Sequence, residues 1–214
     1  MSFIDYEKMA LIMDKRIVKS RRNIFESLMT LLTDKPLSEI TVTELCKTAL
    51  INRKTFYTQF SSVFDAFHCL EEQIIETFLD GLQKQGILSS SHFKSDAFIR
   101  YLDDLRVGNK KEFDIIYPYL RGGDFRARFG VAVGQLGNRF LRDYPQMKNP
   151  RIYAAALVFG MCGICTMYFD WLDLGMQLTI AELTDQANAI MSVPLNDCVN
   201  IINDSNETVQ GEQT

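Results

Sequence analysis

The chain has 214 residues, 47% of them hydrophobic, and a formal net charge of −4. That length holds one large domain, or a small one beside a medium one, with ample material for a core. The acidic balance argues against a protein that coats nucleic acid indiscriminately, but the charge is uneven. Residues 1–60 carry 10 Lys and Arg against 7 Asp and Glu, a net of +3, whereas residues 61–214 carry a net of −7. A mildly basic head on an acidic body suits a binder that meets DNA at one end.

Almost everything reads at a period near 3.6, and no alternating run persists long enough for a strand. Residues 1–14 form an N-terminal arm, read as a short or frayed helix. A helix is expected over about 16–33, with Ile24, Ser27, Leu28, Leu31 and Leu32 on one face and Thr33-Asp34-Lys35-Pro36 as its break. From Ile40 to Phe60 the chain reads ITVTELCKTALINRKTFYTQF. Val42, Leu45, Cys46 and Ala49 give a short helix one buried face, with Thr41 suited to its N-cap. Asn52 suits the cap of a second short helix. There Phe56 and Phe60, four apart, anchor one face, and Arg53, Lys54, Thr55, Tyr57, Thr58 and Gln59 follow around it. A helix pair whose second member shows Arg, Lys, Thr and Gln outward is a way to read a major groove.

Further along, helices are expected over about 63–85 with Gly86 as the stop, from Ser95 to about Val107, and over about 110–117 up to Pro118. Others follow over about 123–143, from Pro150 to about Leu174, and from Thr179 to Met191. For the last of these, Thr179 and Glu182 supply a capping box. The Ala154–Tyr168 stretch looks too short for a comfortable bilayer span and reads as a buried helix. Residues 194–214, rich in Asn, Asp, Ser, Glu and Gln, have little to bury and are expected to be disordered.

The I-T-V-x-E-L, A-x-I-N and T-F-Y-x-x-F pattern of residues 40–60 resembles the DNA-binding signature of the TetR family of transcriptional regulators. The resemblance starts near Arg21 and covers the first quarter to third of the chain. It departs from the family at Leu50, where the turn usually has Gly, at Pro36, where Gly usually follows the first helix, and at Val63, where a Lys commonly touches a phosphate. It implies an all-α protein of about nine helices. A three-helix helix-turn-helix head (15–62) precedes a helical effector-binding and dimerisation body (63–193), and the whole works as a homodimer on a palindromic double-stranded DNA operator.

Within that frame Arg53 and Lys54 are the candidates for base edges, since either donates to guanine O6 and N7. Thr55, Thr58 and Gln59 add base or phosphate contacts, and Tyr57 is expected on a phosphate. Thr41 and Thr43 lie at a helix N-terminus, where amides attract phosphate. Arg21 and Arg22, taken to open the first helix, are expected to do likewise, and Asn52 completes the set. The resemblance also implies a pocket for an unidentified small-molecule effector. Aromatic and apolar residues of the body are candidates to line it: Phe98, Tyr101 and Leu105, then Phe113, Tyr117, Phe129 and Tyr168. Simple packing accounts for the same residues. The last two helices are expected to pair with their copies through Ala156, Gly160, Gly163 and Met167, and through Leu183, Ala187 and Ile190. An adaptor working through a protein partner is the rival reading.

Cys162-Gly-Ile-Cys165 lies in an apolar helical run without a second C-x-x-C or a nearby His, so packing is favoured over redox or metal chemistry. Cys46 and Cys69 likewise read as core, and His68 and His92 as structural or exposed. No catalytic motif, metal site or cofactor motif is found, and no enzyme activity is expected. Five Cys, an odd number, and a start without a basic stretch before an apolar run suggest the reducing cytoplasm and no membrane insertion.

Overall fold

The computed structural model describes residues 4–87, 94–143 and 150–190, and every regular element among them is helical. The expected tail and His92 lie outside the described residues. In chain order the helices are α1 (Tyr6–Ile12), α2 (Lys15–Leu32), α3 (Val42–Thr48), α4 (Arg53–Tyr57) and α5 (Val63–Lys84). After these come α6 (Ser95–Gly108), α7 (Lys110–Leu120), α8 (Gly123–Asp143) and α9 (Pro150–Asp173). A last helix, α10, occupies 180–190. A single 3-10 turn, Leu37–Glu39, follows the break after α2.

The chain divides into two compact units. Among the described residues one comprises 4–84 and 103–132, the other 85–87, 94–102, 133–143 and 150–190, with the divisions falling at the end of α5, inside α6 and near the middle of α8. In the first unit α2 is the hub, packing against α1, α3, α5 and α7. Its apolar stripe of Ile24, Phe25, Leu28 and Leu31 is buried, together with Leu45 of α3, Phe56 of α4 and Leu70 of α5. The helix is amphipathic because these residues recur at three- and four-residue steps. The second unit buries Phe98 of α6, Leu136 of α8, and Leu157, Met161, Ile164 and Tyr168 of α9. Trp171 donates its indole N–H to the Leu178 carbonyl at 2.8 Å, closing the turn into α10.

The helix ends carry the expected chemistry. Thr179 and Glu182 form the capping box: the Glu182 amide donates to Thr179 Oγ1 at 3.2 Å, and the Thr179 amide to Glu182 Oε2 at 2.8 Å. Gly86 follows α5 with a φ of +65°, a conformation that costs a residue without Cβ nothing.

Two expectations are corrected. The sequence stops a helix at Pro118, but α7 runs through it to Leu120. Proline removes one N–H donor, and here only the last turn lies beyond it. That turn is pinned from outside: the Leu37 amide donates to Tyr119 Oη at 3.2 Å, and the Tyr119 ring lies 4.8 Å from that of Phe67. The apolar stretch of α9 is not too short either. Ala155–Asp173 is long and apolar enough to cross a membrane, and only 39% of it is buried. Because α9 is apolar nearly all round, packing on one side leaves Phe159 on the other at 61% exposed.

Candidate nucleic-acid interface

The helix-turn-helix is built by caps and a tertiary clamp. Thr41 Oγ1 accepts the Glu44 amide at 3.2 Å, capping α3. Asn52 Oδ1 accepts the Thr55 amide at 2.7 Å and the Thr55 hydroxyl at 3.0 Å, capping α4. Each supplies an acceptor to an amide that the first helical turn leaves unpaired. Between the helices Leu50 takes a φ of +55°, and the Ile51 amide closes back onto the Cys46 carbonyl at 3.0 Å. The turn thus keeps the left-handed backbone that Gly favours, with a Leu in it.

α4 spans only Arg53–Tyr57 and stands because it is anchored. Phe56 and Phe60 are buried with their rings 5.7 Å apart, and Phe60 meets Phe25 of α2 at 6.1 Å. Asn23 of α2 donates its side-chain amide to the Ala49 carbonyl at 3.3 Å, and Gln59 Nε2 donates to Ser20 Oγ at 2.7 Å. Lys35 and Glu44 form an ion pair at 2.6 Å, which holds the Glu44 carboxyl below its ordinary range. Neither Ser20 nor Asn23 stands out in the sequence, since short polar residues in a helix announce no partner.

The opposite face of α4 is open. Asn52, Arg53, Lys54, Tyr57 and Thr58 are exposed, as are Thr41 and Thr43 at the start of α3. Arg53 lies over the Tyr57 ring at 5.8 Å, and its Nη2 is 3.5 Å from the Tyr57 hydroxyl, the outer limit of a hydrogen bond. That hydroxyl raises the Arg53 pKa further. The two side chains, one turn apart, are therefore ordered together. Thr55 is half-buried, its hydroxyl committed to Asn52.

Three sequence-selected residues stand elsewhere than expected. Gln59 is half-buried and committed to Ser20. Arg21 and Arg22 do not open α2, which starts at Lys15. Arg21 turns inward, with Nη1 3.3 Å from Cys69 Sγ and its guanidinium 5.2 Å from the Phe60 ring. Arg22 is engaged with α1, over the Tyr6 ring at 4.8 Å and paired with Glu26 at 2.9 Å. Helical spacing fixes which residues share a face, but not which neighbour covers it.

The other candidates divide similarly. Phe98, Tyr101, Leu105, Phe113, Phe129 and Tyr168 are buried and Tyr117 half-buried. None of the seven lines the open cavity of about 950 Å³ found in the first unit. Gly160, Leu183 and Ala187 are buried within the chain itself, so they are not presented to a second copy. The Leu183–Ala187 stripe of α10 faces inward, because a four-residue step serves an internal core as readily as an external one. Ala156, Gly163 and Met167 are half-buried, and Ile190 is exposed. Burial raises the Cys46, Cys69 and Cys162 thiol pKa values, which suits packing rather than reactivity. Cys69 is half-buried rather than core. No cluster able to hold a metal ion occurs among the described residues.

A capped, left-handed turn and a short helix with one anchored and one basic face define a helix-turn-helix protein in an all-helical frame. No family model and no curated protein match the chain. Solved structures do. The dihydroxyacetone kinase operon activator DhaS superposes with a TM-score of 0.51 at 15% identity, over 80% of this chain and 93% of that one. The fatty acid degradation regulator FadR from Bacillus halodurans gives 0.51 at 13% identity, over 82% and 96%. The TetR family repressor AlkX from a Dietzia species gives 0.50 at 14% identity, over 80% and 93%. The chain has the all-α fold of these regulators, of which AlkX is by title a TetR family repressor.

Proposed function

We propose that the protein is a sequence-specific, DNA-binding transcription regulator of TetR type, acting in the cytoplasm as a homodimer on a palindromic operator and released by a small-molecule effector. The observation that carries this reading is the two-faced α4, with Phe56 buried and Arg53, Lys54, Tyr57 and Thr58 exposed on a clamped, capped unit. Arg53 and Lys54 supply donors for base edges and Tyr57 a hydroxyl for a phosphate, while the Thr58 hydroxyl donates to the Thr55 carbonyl at 2.8 Å. Thr41 and Thr43 stand ready for the backbone. Gln59 and Arg21 act by holding α4 in place instead. The three neighbours named above are regulators by title, which agrees with this reading.

A single short helix reads few base pairs, so a dimer that sets two copies about one DNA turn apart is the economical arrangement. The exposed apolar face of α9 supports it. Ala155 and Phe159 are exposed, and a Cβ added at Gly163 would meet nothing within 4 Å.

Footprinting of the wild-type protein on DNA upstream of its own gene is the test. A protected palindrome, lost in Arg53→Ala and Tyr57→Ala, supports the reading. Protection unchanged in both variants overturns it. Affinity should also fall steeply with salt as phosphate contacts are screened and counterions compete. Sedimentation of the protein without DNA reads the dimer directly.

A further inference from the structure

The first unit contains an open cavity of about 950 Å³ walled by α1, α2, α5 and α7. A cavity of that size accommodates a small organic molecule. Its apolar lining is Tyr6, Met29 and Ile115, all half-buried, backed by the fully buried Phe25 and Leu70. Its rim is charged. Four carboxylates line it, those of Asp5, Glu7, Glu26 and Glu112, against three cations, Arg22, Lys84 and Lys111.

The pairing within that rim leaves negative charge over. Arg22 is held by Glu26 at 2.9 Å, and Lys84 lies 3.6 Å from Asp5. The remaining carboxylates, Glu7 and Glu112, are exposed to solvent at the mouth and outnumber the one remaining cation, Lys111. The chain itself shows what the wall accepts. The Arg22 guanidinium sits 4.8 Å from the Tyr6 ring centroid while it pairs with Glu26, an aromatic face and a carboxylate acting together on one delocalised cation. Burial and the nearby Glu26 push the Tyr6 hydroxyl up to about 12, so the ring stays neutral beside that cation at any physiological pH.

We propose that this cavity is a binding site for an amphipathic organic cation, whose apolar body lies on Met29 and Ile115 and whose charge is met by Glu7 and Glu112. The site uses none of the residues that the sequence offered for an effector pocket, and the inference stands whether or not α4 reads DNA. The α1 wall is well held for such a role. The Asp5 amide donates to Thr77 Oγ1 at 3.1 Å, Lys8 pairs with Asp80, and Met9 is buried. The cavity is thus bounded by α1 docked on α2 and α5 rather than by a loose arm.

Fluorescence anisotropy of the full chain with two xanthene dyes of opposite charge tests the proposal without DNA. Cationic rhodamine 6G is expected to bind about tenfold more tightly than anionic fluorescein. The double variant Glu7→Gln, Glu112→Gln alters only exposed positions and should weaken rhodamine 6G roughly fivefold. Thr30→Trp, which places a ring in the cavity from an exposed helical position, should abolish binding with the melting curve retained. Equal binding of the two dyes, or wild-type affinity in the double variant, overturns the proposal. The double variant decides the matter even if Thr30→Trp fails to fold.

Discussion

Gln59 and Ser20 are 39 residues apart in sequence, yet Gln59 Nε2 donates to Ser20 Oγ at 2.7 Å. The bond ties the chain just past α4 to the first helix of the head. A five-residue helix cannot sustain itself in water, since nucleation costs more than one turn of hydrogen bonds returns. Its orientation is therefore set by contacts of this kind and by Phe56 and Phe60. Ser20→Ala should lower the stability of the protein by about 1 kcal/mol, the usual net worth of such a bond. The operator sequence that is preferred should not change. Chemical denaturation and a binding-site selection on the variant check the two halves. A changed consensus would return Gln59 to the reading face.

Leu50 is 89% exposed and holds a φ of +55°. Its side chain gains nothing from burial, and the left-handed backbone costs a residue with a Cβ roughly 1 kcal/mol. Leu50→Gly should therefore be neutral or stabilising by up to about 1 kcal/mol, the gain being reduced by the greater freedom of Gly in the unfolded chain. Leu50→Val, with branching at Cβ, should destabilise. Thermal melts of the pair give the sign. A strongly destabilised Leu50→Gly would mean that the leucine side chain has a partner, such as a second copy, in solution.

Arg53→Ala and Tyr57→Ala remove exposed groups that order one another across 3.5 Å. Each should weaken operator binding by about tenfold or more, while the melting temperature barely moves. Because the two act as a unit, the double variant should cost less than the product of the singles. Gel shifts at fixed salt on all three proteins measure that coupling.

Asp65 near the start of α5 accepts from the Ser61 amide at 2.6 Å and the Ser61 hydroxyl at 3.0 Å, and the Ser62 hydroxyl accepts the Asp65 amide at 3.1 Å. The Ser61 amide above all holds the Asp65 carboxyl below its ordinary 3.8. A depressed carboxylate stabilises the folded state above its unfolded value and loses that contribution as pH falls through the folded one. Asp65→Asn should thus cost about 0.5–1 kcal/mol at pH 7, the size of a capping interaction at an exposed site. The difference from the wild type should shrink as pH drops below 3.8. Urea denaturation at pH 7 and pH 3 is the measurement, and a difference undiminished at pH 3 would assign the loss to packing.

Local chemistry was legible in the sequence. Thr41, Asn52, and Thr179 with Glu182 announce caps because a short acceptor before an apolar helical period satisfies amides a few residues away. The Phe56–Phe60 pair announces the anchored face of α4 by its four-residue step. Such features are decided by neighbours along the chain, so residue order alone determines them. The fate of Arg21, Arg22, Gln59, Leu183 and Ala187 was decided by tertiary structure. Spacing places each beside an apolar helical face, but what covers it, respectively Phe60 with Cys69, Tyr6, Ser20, and the chain's own core for the last two, comes from other elements of the chain. Periodicity fixes which side chains point together. Only packing fixes what stands opposite them, because an apolar stripe gains as much free energy from any dry surface that covers it.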